Sequence, residues 1–537
     1  MIFPDTLEES LTTSPRCPIE RVFAIPELCA NVILFLYPKQ IRRLRLVSKL
    51  ISSACSPHMR IALLLNNRTQ SDLNTDPSFP ADLITSLRLD SIDQVSPLFI
   101  DLMQTCPRIS SLEIHDFGLD IDFLEESLQQ SSGHLKRLVI HSDGFVTMES
   151  IVETVLGSNM ASQIQILSLH IGVTGLDETH SLPWSSFRSV LDTCTSLSAI
   201  SLGNVKILDV PESLEETDTL HATTVSFPNI TLLTLQQCDI SGIGRVRLLR
   251  MFPNLRNLEM ICRDVIFDMD DHVSDSEYDN GSNIGTGSVS ESEAGVNGQL
   301  LCMNLKRVSI KCTNSRFRAD QDGLFRFLMH LTSLESLELV GLGSNSQRIL
   351  SIAQEWSRRG IQLKSLRLEF NNRKAVDESL EMILRQGCCS KLEVFDAWRG
   401  PDLLFKFWNQ DTMRSELPFL ETLKALHLRK DYEIVDTQID KEYVLNLTLR
   451  QMPKLVDLTI AAKLDDFSIF QGMGRDPDAP LPLPNTPITS IDWLRERPFL
   501  QTLTIGYSSE FYNNRMVELP RQIGKRFRFL EDFRLIA

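Results

Sequence analysis

Leu334-Glu-Ser-Leu337-Glu-Leu339 and, 29 residues on, Leu363-Lys-Ser-Leu366-Arg-Leu368 decide how this chain is read. One L-x-x-L-x-L means little where 42% of residues are hydrophobic. Two copies at a fixed interval point to an internal repeat. Working outward, the same core starts at Ile84, Ile109, Leu135, Ile164, Leu197, Ile230, Leu255 and Leu305 on one side. On the other side it starts at Leu392, in a degenerate copy with Phe395 and Ala397, and then at Leu423, Leu455, Leu500 and Leu530. That makes about fifteen copies, most of them 25 to 33 residues apart.

Such a period holds a short strand, two turns and a helix of ~10 residues. Apolar residues spaced for one helical face precede several cores, as in Phe99-Ile100-x-Leu102-Met103 and Leu324-Phe325-x-Phe327-Leu328. Cys106-Pro107, Phe252-Pro253, Met452-Pro453 and Arg497-Pro498 supply turns back into the next strand. The expected fold class is α/β, a solenoid curved like a horseshoe over residues 83–537. Each repeat then packs on its neighbours, so 537 residues need no single core. Two intervals are long. One contains residues 264–299, with nine of the 70 Asp and Glu and no Lys or Arg, too polar to fold alone. The other contains a Pro-rich loop over 474–490.

Composition excludes some classes. A formal net charge of −16 argues against nucleic acid or an anionic membrane as partner, since both need a basic footprint. No apolar run approaches the ~18–20 residues of a membrane span, and the first residues lack the pattern of a secretory signal. Eleven scattered cysteines without a C-x-x-C pair read as reduced thiols, implying the cytoplasm, the nucleus or both.

Residues 1–20, with Pro4, Pro15 and Pro18, read as a flexible extension, and 66–82 as a polar connector. Between them, residues 21–65 read as a small all-α module of three short helices. Ile25, Leu28, Val32 and Leu36 mark one face of the first. Ile41, Leu44 and Val47 mark the second, and Ile61 to Leu65 form the third. Ile25-Pro26-Glu27-Leu28, Ile33 to Leu36 and Ile41-x-x-Leu44-x-x-Val47-Ser48-Lys49 resemble the F-box, over residues 22 to about 55. Ile25 stands for that family's first leucine and Ile51 for its usual tryptophan. The repeats resemble the irregular, helix-containing leucine-rich repeats found with F-boxes, with the Asn of simpler repeats kept only at Asn371.

The resemblance implies a substrate-recognition subunit of an SCF-type (cullin-RING) ubiquitin ligase. By it, Ile25, Pro26, Leu28, Val32, Leu36, Leu44 and Val47 bind a Skp-type adaptor, and through it a cullin. The repeats bind a protein substrate. The chain itself is then no enzyme and needs no cofactor or metal. The alternative is a leucine-rich-repeat scaffold for protein–protein interaction, unrelated to ubiquitin.

The residues carry no phosphate-binding Gly loop, H-E-x-x-H or G-x-S-x-G, so the available chemistry is surface recognition. On a strand, side chains alternate between faces, so letters between and after the core leucines point outward. His115, His141 and His170 fall on successive strands and read as aligned polar surface residues, because no Cys or carboxylate completes a ligand set. Arg367, Glu369, Asp396, Trp398, Arg399, His427 and Arg429 gather around the degenerate copy and are the substrate-binding candidates. Ser274 and Ser290 each have Glu three places on, which suits an acidophilic kinase.

Overall fold

In the computed structural model the described residues are 61–65, 84–90, 97–116, 119–131, 133–142, 146–172, 180–208, 226–262, 304–312, 322–342, 346–370, 382–398, 417–429, 452, 454–461, 501–506 and 532–536. The F-box-like residues Ile25, Pro26, Leu28, Val32, Leu36, Leu44 and Val47 lie outside them, as do Arg399, Ser274 and Ser290. The chain divides into two compact units, Met1–Ser198 and Ala199–Ala537.

The first unit runs β1 (Ile61–Leu65), β2 (Ile84–Asp90), α1 (Pro97–Thr105), β3 (Ser111–Asp116), α2 (Ile121–Gln130) and β4 (Arg137–Ser142). It continues with α3 (Met148–Gly157), β5 (Ile166–Ile171), β6 (His180–Pro183) and α4 (Trp184–Thr193). Strands β1 to β5 pair in parallel and in sequence order. Their register sets Leu87, Leu112, Leu138 and Leu167 side by side, and next to them Leu89, Ile114, Ile140 and Leu169. All eight are buried. Ile61–Leu65 corrects the sequence reading, since it is a strand and not a third short helix. Five apolar residues in a row fit either period. Parallel pairing with β2, with Leu65 buried beside Leu89, settles it. The sheet therefore begins before residue 83.

The second unit begins with β7 (Ala199–Gly203), β8 (Val205–Leu208), β9 (Leu232–Gln236), α5 (Gly242–Arg250), β10 (Asn257–Cys262) and β11 (Arg307–Cys312). Then come α6 (Asp322–His330), β12 (Ser336–Leu342), α7 (Ser346–Arg358), β13 (Ser365–Phe370) and β14 (Val394–Trp398). The last strands are β15 (Ala425–Arg429), β16 (Asp457–Ala461), β17 (Thr502–Gly506) and β18 (Asp532–Ile536). Strand β7 pairs with β9, and β9 to β18 pair on in sequence order, all parallel. One core row runs Ile200, Leu233, Leu258, Val308, Leu337, Leu366, Phe395, Leu426 and Leu458. Each is at most 2% exposed. Burial of each such side chain contributes roughly 1.5–3 kcal/mol, which outweighs any local propensity along the row. Phe395 therefore fills a leucine's place in the degenerate copy without shifting the register.

In several repeats the first core residue closes a turn. Ile109 N–H donates to Cys106 O at 3.3 Å, Leu197 to Cys194 at 2.9 Å, Leu255 to Phe252 at 3.0 Å and Leu455 to Met452 at 3.3 Å. Pro107 and Pro253 occupy the second place of such turns, where a fixed φ costs nothing. Cys106 and Cys194 fill the first place as small buried apolar groups, and burial pushes the Cys194 thiol up to about 11. Two helices start at hydroxyl caps: Thr147 accepts from Ser150 N–H at 3.2 Å for α3 and Ser241 from Gly244 N–H at 3.0 Å for α5. Between α6 and α7, buried Trp356 donates its Nε1–H to Leu328 O at 3.1 Å.

Gly341, at the end of β12, has φ +75°, and a Cβ there would overlap the carbonyl oxygen of Cys312 on β11. Gly360 has φ +74° with open space around it. Gly360→Ala is expected to cost about 1–2 kcal/mol for the left-handed backbone alone, and Gly341→Ala distinctly more. Urea unfolding of the two variants measures the difference, and equal losses would contradict close packing of β12 on β11.

Candidate functional site

The residues between the two core positions form an outward row. In the second unit it reads Glu259, Ser309, Glu338, Arg367, Asp396, His427 and Thr459, each directly beside the next. Their side chains pair across strands. Arg367 Nη1–H donates to Glu338 Oε1 at 2.7 Å, and Ser309 Oγ–H donates to Glu338 Oε2 at 2.8 Å. Arg367 Nε lies 3.5 Å from Asp396 Oδ2. His427 bridges two carboxylates, with Nδ1 3.8 Å from Asp396 Oδ2 and Nε2 3.2 Å from Asp457 Oδ2. Lys311, in the neighbouring row, puts Nζ 3.5 Å from both Glu259 Oε1 and Glu338 Oε1. With Lys311 and Asp457 contributed from neighbouring rows, opposite charges follow one another from β10 to β16.

Asp396 is the buried centre of that line, at 6% exposure. A carboxylate taken from water must be paired or neutralised, and Arg367 and His427 pair it from either side. Asp396 and then Asp457 hold the His427 imidazolium up to about 9 against the opposing effect of its burial. The site is therefore a fixed charged surface at neutral pH.

Of the sequence-derived candidates, Arg367, Asp396 and His427 come together. Glu369 lies one row over, paired in register with Val340. Trp398 and Arg429 are register partners on β14 and β15. The sequence reading missed Asp457 as a partner of His427, because it sits one position ahead of the first core residue of β16 and reaches diagonally. It also missed a second ladder formed by the residue that follows the first leucine of each repeat. There Lys306 Nζ lies 2.9 Å from Glu335, Lys364 Nζ 2.7 Å from Glu335, and Lys424 Nζ 2.8 Å from Glu393. The alternation of Lys and Glu at that place was the available signal.

In the first unit the outward face differs. His115, His141 and His170 stack with ring centroids 4.3 and 4.5 Å apart and planes within 8° and 15° of parallel. Parallel rings do not turn their nitrogens toward a common point, and no metal-binding cluster occurs among the described residues. Burial, and then the neighbouring imidazoles, lower His170 to about 4; burial and then His115 lower His141. His141 and His170 are therefore held in the neutral form at physiological pH. Beside it, Glu113 pairs with Arg137 and lies 3.8 Å from His115 Nε2.

No family model matches this chain, and no curated protein matches it. Among solved structures, the crystal structure of the Rad7 and Elc1 complex in yeast matches with a TM-score of 0.36 and 14% identity, over 78% of this chain and 91% of that chain. A likeness of that size carries no argument about fold or function. What the geometry defines is an α/β repeat protein with one parallel strand per repeat and a charge-paired outward face.

The two faces titrate in opposite directions. The folded pKa of His427 lies above the ordinary value of 6.5, so its stabilisation is complete below that pH and is lost as pH rises through about 9. The folded pKa of His170 lies below 6.5, so its contribution is present above that pH and is lost as pH falls toward about 4. In urea unfolding across pH, His427→Asn is expected to flatten the alkaline limb and His170→Asn the acid limb. Unchanged limbs in the variants would contradict these environments.

Proposed function

We propose that this chain is the substrate receptor of an SCF-type cullin-RING ubiquitin ligase. Ile25, Pro26, Leu28, Val32, Leu36, Leu44 and Val47 form the apolar face that a Skp-type adaptor covers, and the adaptor links to a cullin. The leucine-rich repeats hold a protein substrate on the outward strand face. Arg367, Glu369, Asp396, Trp398, Arg399, His427 and Arg429 are the residues that contact it in this reading. The receptor makes and breaks no bond; its contribution is to hold substrate lysines near the charged enzyme, which raises their effective concentration. It works in the cytoplasm, the nucleus or both. Ser274 and Ser290 are its candidate phosphorylation sites.

The observation that carries this reading is the order of parts. A segment with F-box spacing at Pro26, Leu44 and Val47-Ser48-Lys49 leads directly into repeats whose strands present a continuous ionised row. Such a row suits recognition, since paired charges discriminate partners more than they add affinity.

Affinity purification of the full chain from cells is expected to retain a Skp-type adaptor, and a Pro26→Ala/Leu28→Ala variant is expected to lose it while keeping its repeat-bound partners. Wild-type protein that retains no adaptor overturns the ligase reading and leaves a leucine-rich-repeat scaffold unrelated to ubiquitin.

A further inference from the structure

The outward row is not the second unit's only charged feature. Just before each strand, the residue after the first core leucine forms a rim, and backbone hydrogen bonds fix its order. Lys306 N–H donates to Arg256 O at 2.8 Å and Glu335 N–H to Lys306 O at 2.8 Å. Lys364 N–H donates to Glu335 O, Glu393 N–H to Lys364 O and Lys424 N–H to Glu393 O, each at 2.7 Å. Six charged side chains thus succeed one another at about the 4.8 Å strand spacing. Arg307, the next residue after Lys306, adds another exposed cation at the same end.

The balance on this rim is positive. Glu335 is shared between Lys306 and Lys364, and Glu393 pairs with Lys424. The guanidinium groups of Arg256 and Arg307 make no hydrogen bond or ion pair among the described residues, and both are exposed. Five cations face two carboxylates, in a chain whose formal net charge is −16. A local excess of positive charge on an acidic protein attracts an acidic partner while the rest of the molecule repels it elsewhere, which concentrates the encounter on one patch.

We infer that the rim formed by Arg256, Lys306, Arg307, Lys364 and Lys424 is a docking surface for an acidic segment of a partner protein. The inference rests on the receptor reading only in naming that partner as the substrate. Discrete carboxylates fit this surface better than a nucleic-acid backbone does. Glu335 and Glu393 interrupt the row, so a continuous polyanion lying along it meets a like charge at two of the six rungs, and the molecule's net charge opposes it further. An extended peptide can place Asp or Glu against the cations and small polar residues against the two carboxylates. The Arg guanidinium groups, flat and forked, suit bidentate pairing with carboxylates.

The test uses the purified full chain and three fluorescent probes: a short Glu-rich peptide, its Gln counterpart, and an oligothymidylate of matched charge. The Glu peptide is expected to bind, and to weaken as salt rises. Arg256→Glu/Arg307→Glu is expected to weaken it by about tenfold with an unchanged melting temperature, since both side chains are exposed. Glu335→Gln, which removes one interrupting charge, is expected to tighten it. Equal binding of the Gln peptide, a charge-reversed variant that binds like wild type, or tighter binding of the oligothymidylate each overturns the inference. No adaptor is present in this assay. Loss of the ligase reading with retained peptide binding therefore stays distinct from loss of the docking surface.

Discussion

Within each unit, everything depends on the parallel backbone ladder that joins one repeat to the next. The ladder keeps equivalent residues of successive repeats side by side, strand after strand: Leu337 beside Leu366, Arg367 beside Asp396, Asp396 beside His427. Because side chains alternate along a strand, this single translation yields two outcomes. One set of positions becomes a row of buried apolar groups, and the intervening set becomes a row of mostly polar, partly buried neighbours on the opposite face. A slip of one residue would exchange the two sets. The continuous row of buried leucines, with Ile200, Val308 and Phe395, is what forbids that slip.

The outward rows show how repetition makes a surface from distant letters. Arg367 and Asp396 are 29 residues apart in sequence, and His427 and Asp457 are 30 apart. Each pair has side-chain atoms within 3.5 Å. A half-buried ionic row adds little net stability, because desolvation offsets much of the attraction. Its more certain effect is to hold its members in one geometry. The exposed pairs around Glu335 add less still: Lys364 and then Lys306 lower its pKa, yet water screens a group this exposed. The two units also differ in electrical character. The first presents stacked imidazoles, and the second presents a line of ion pairs.

Much of this was legible in the sequence because the ladder has a simple signature. Each of the fifteen cores from Ile84 to Leu530 carries a strand, and the expected core positions are the ones in register. The alignment of His115, His141 and His170 followed from counting, and so did the gathering of Arg367, Asp396 and His427. The rest escaped for physical reasons. Ile61–Leu65 has no alternation, so only its pairing partner distinguishes strand from helix. Asp457 reaches His427 across a diagonal, which a row-by-row reading does not reveal. The rim at Lys306 and Glu335 sits ahead of the strands, at positions that a pattern centred on leucines passes over.

The central claim is that register, and not local sequence, joins charges from different repeats into one working row. A double-mutant cycle on stability tests it most directly, with Arg367→Met and Asp396→Asn made singly and together. The account predicts a coupling of about 1 kcal/mol or more for this pair, and below about 0.5 kcal/mol for Arg367 with Thr459, three strands away in the same row. Coupling no larger for Arg367 with Asp396 than for Arg367 with Thr459 would contradict it.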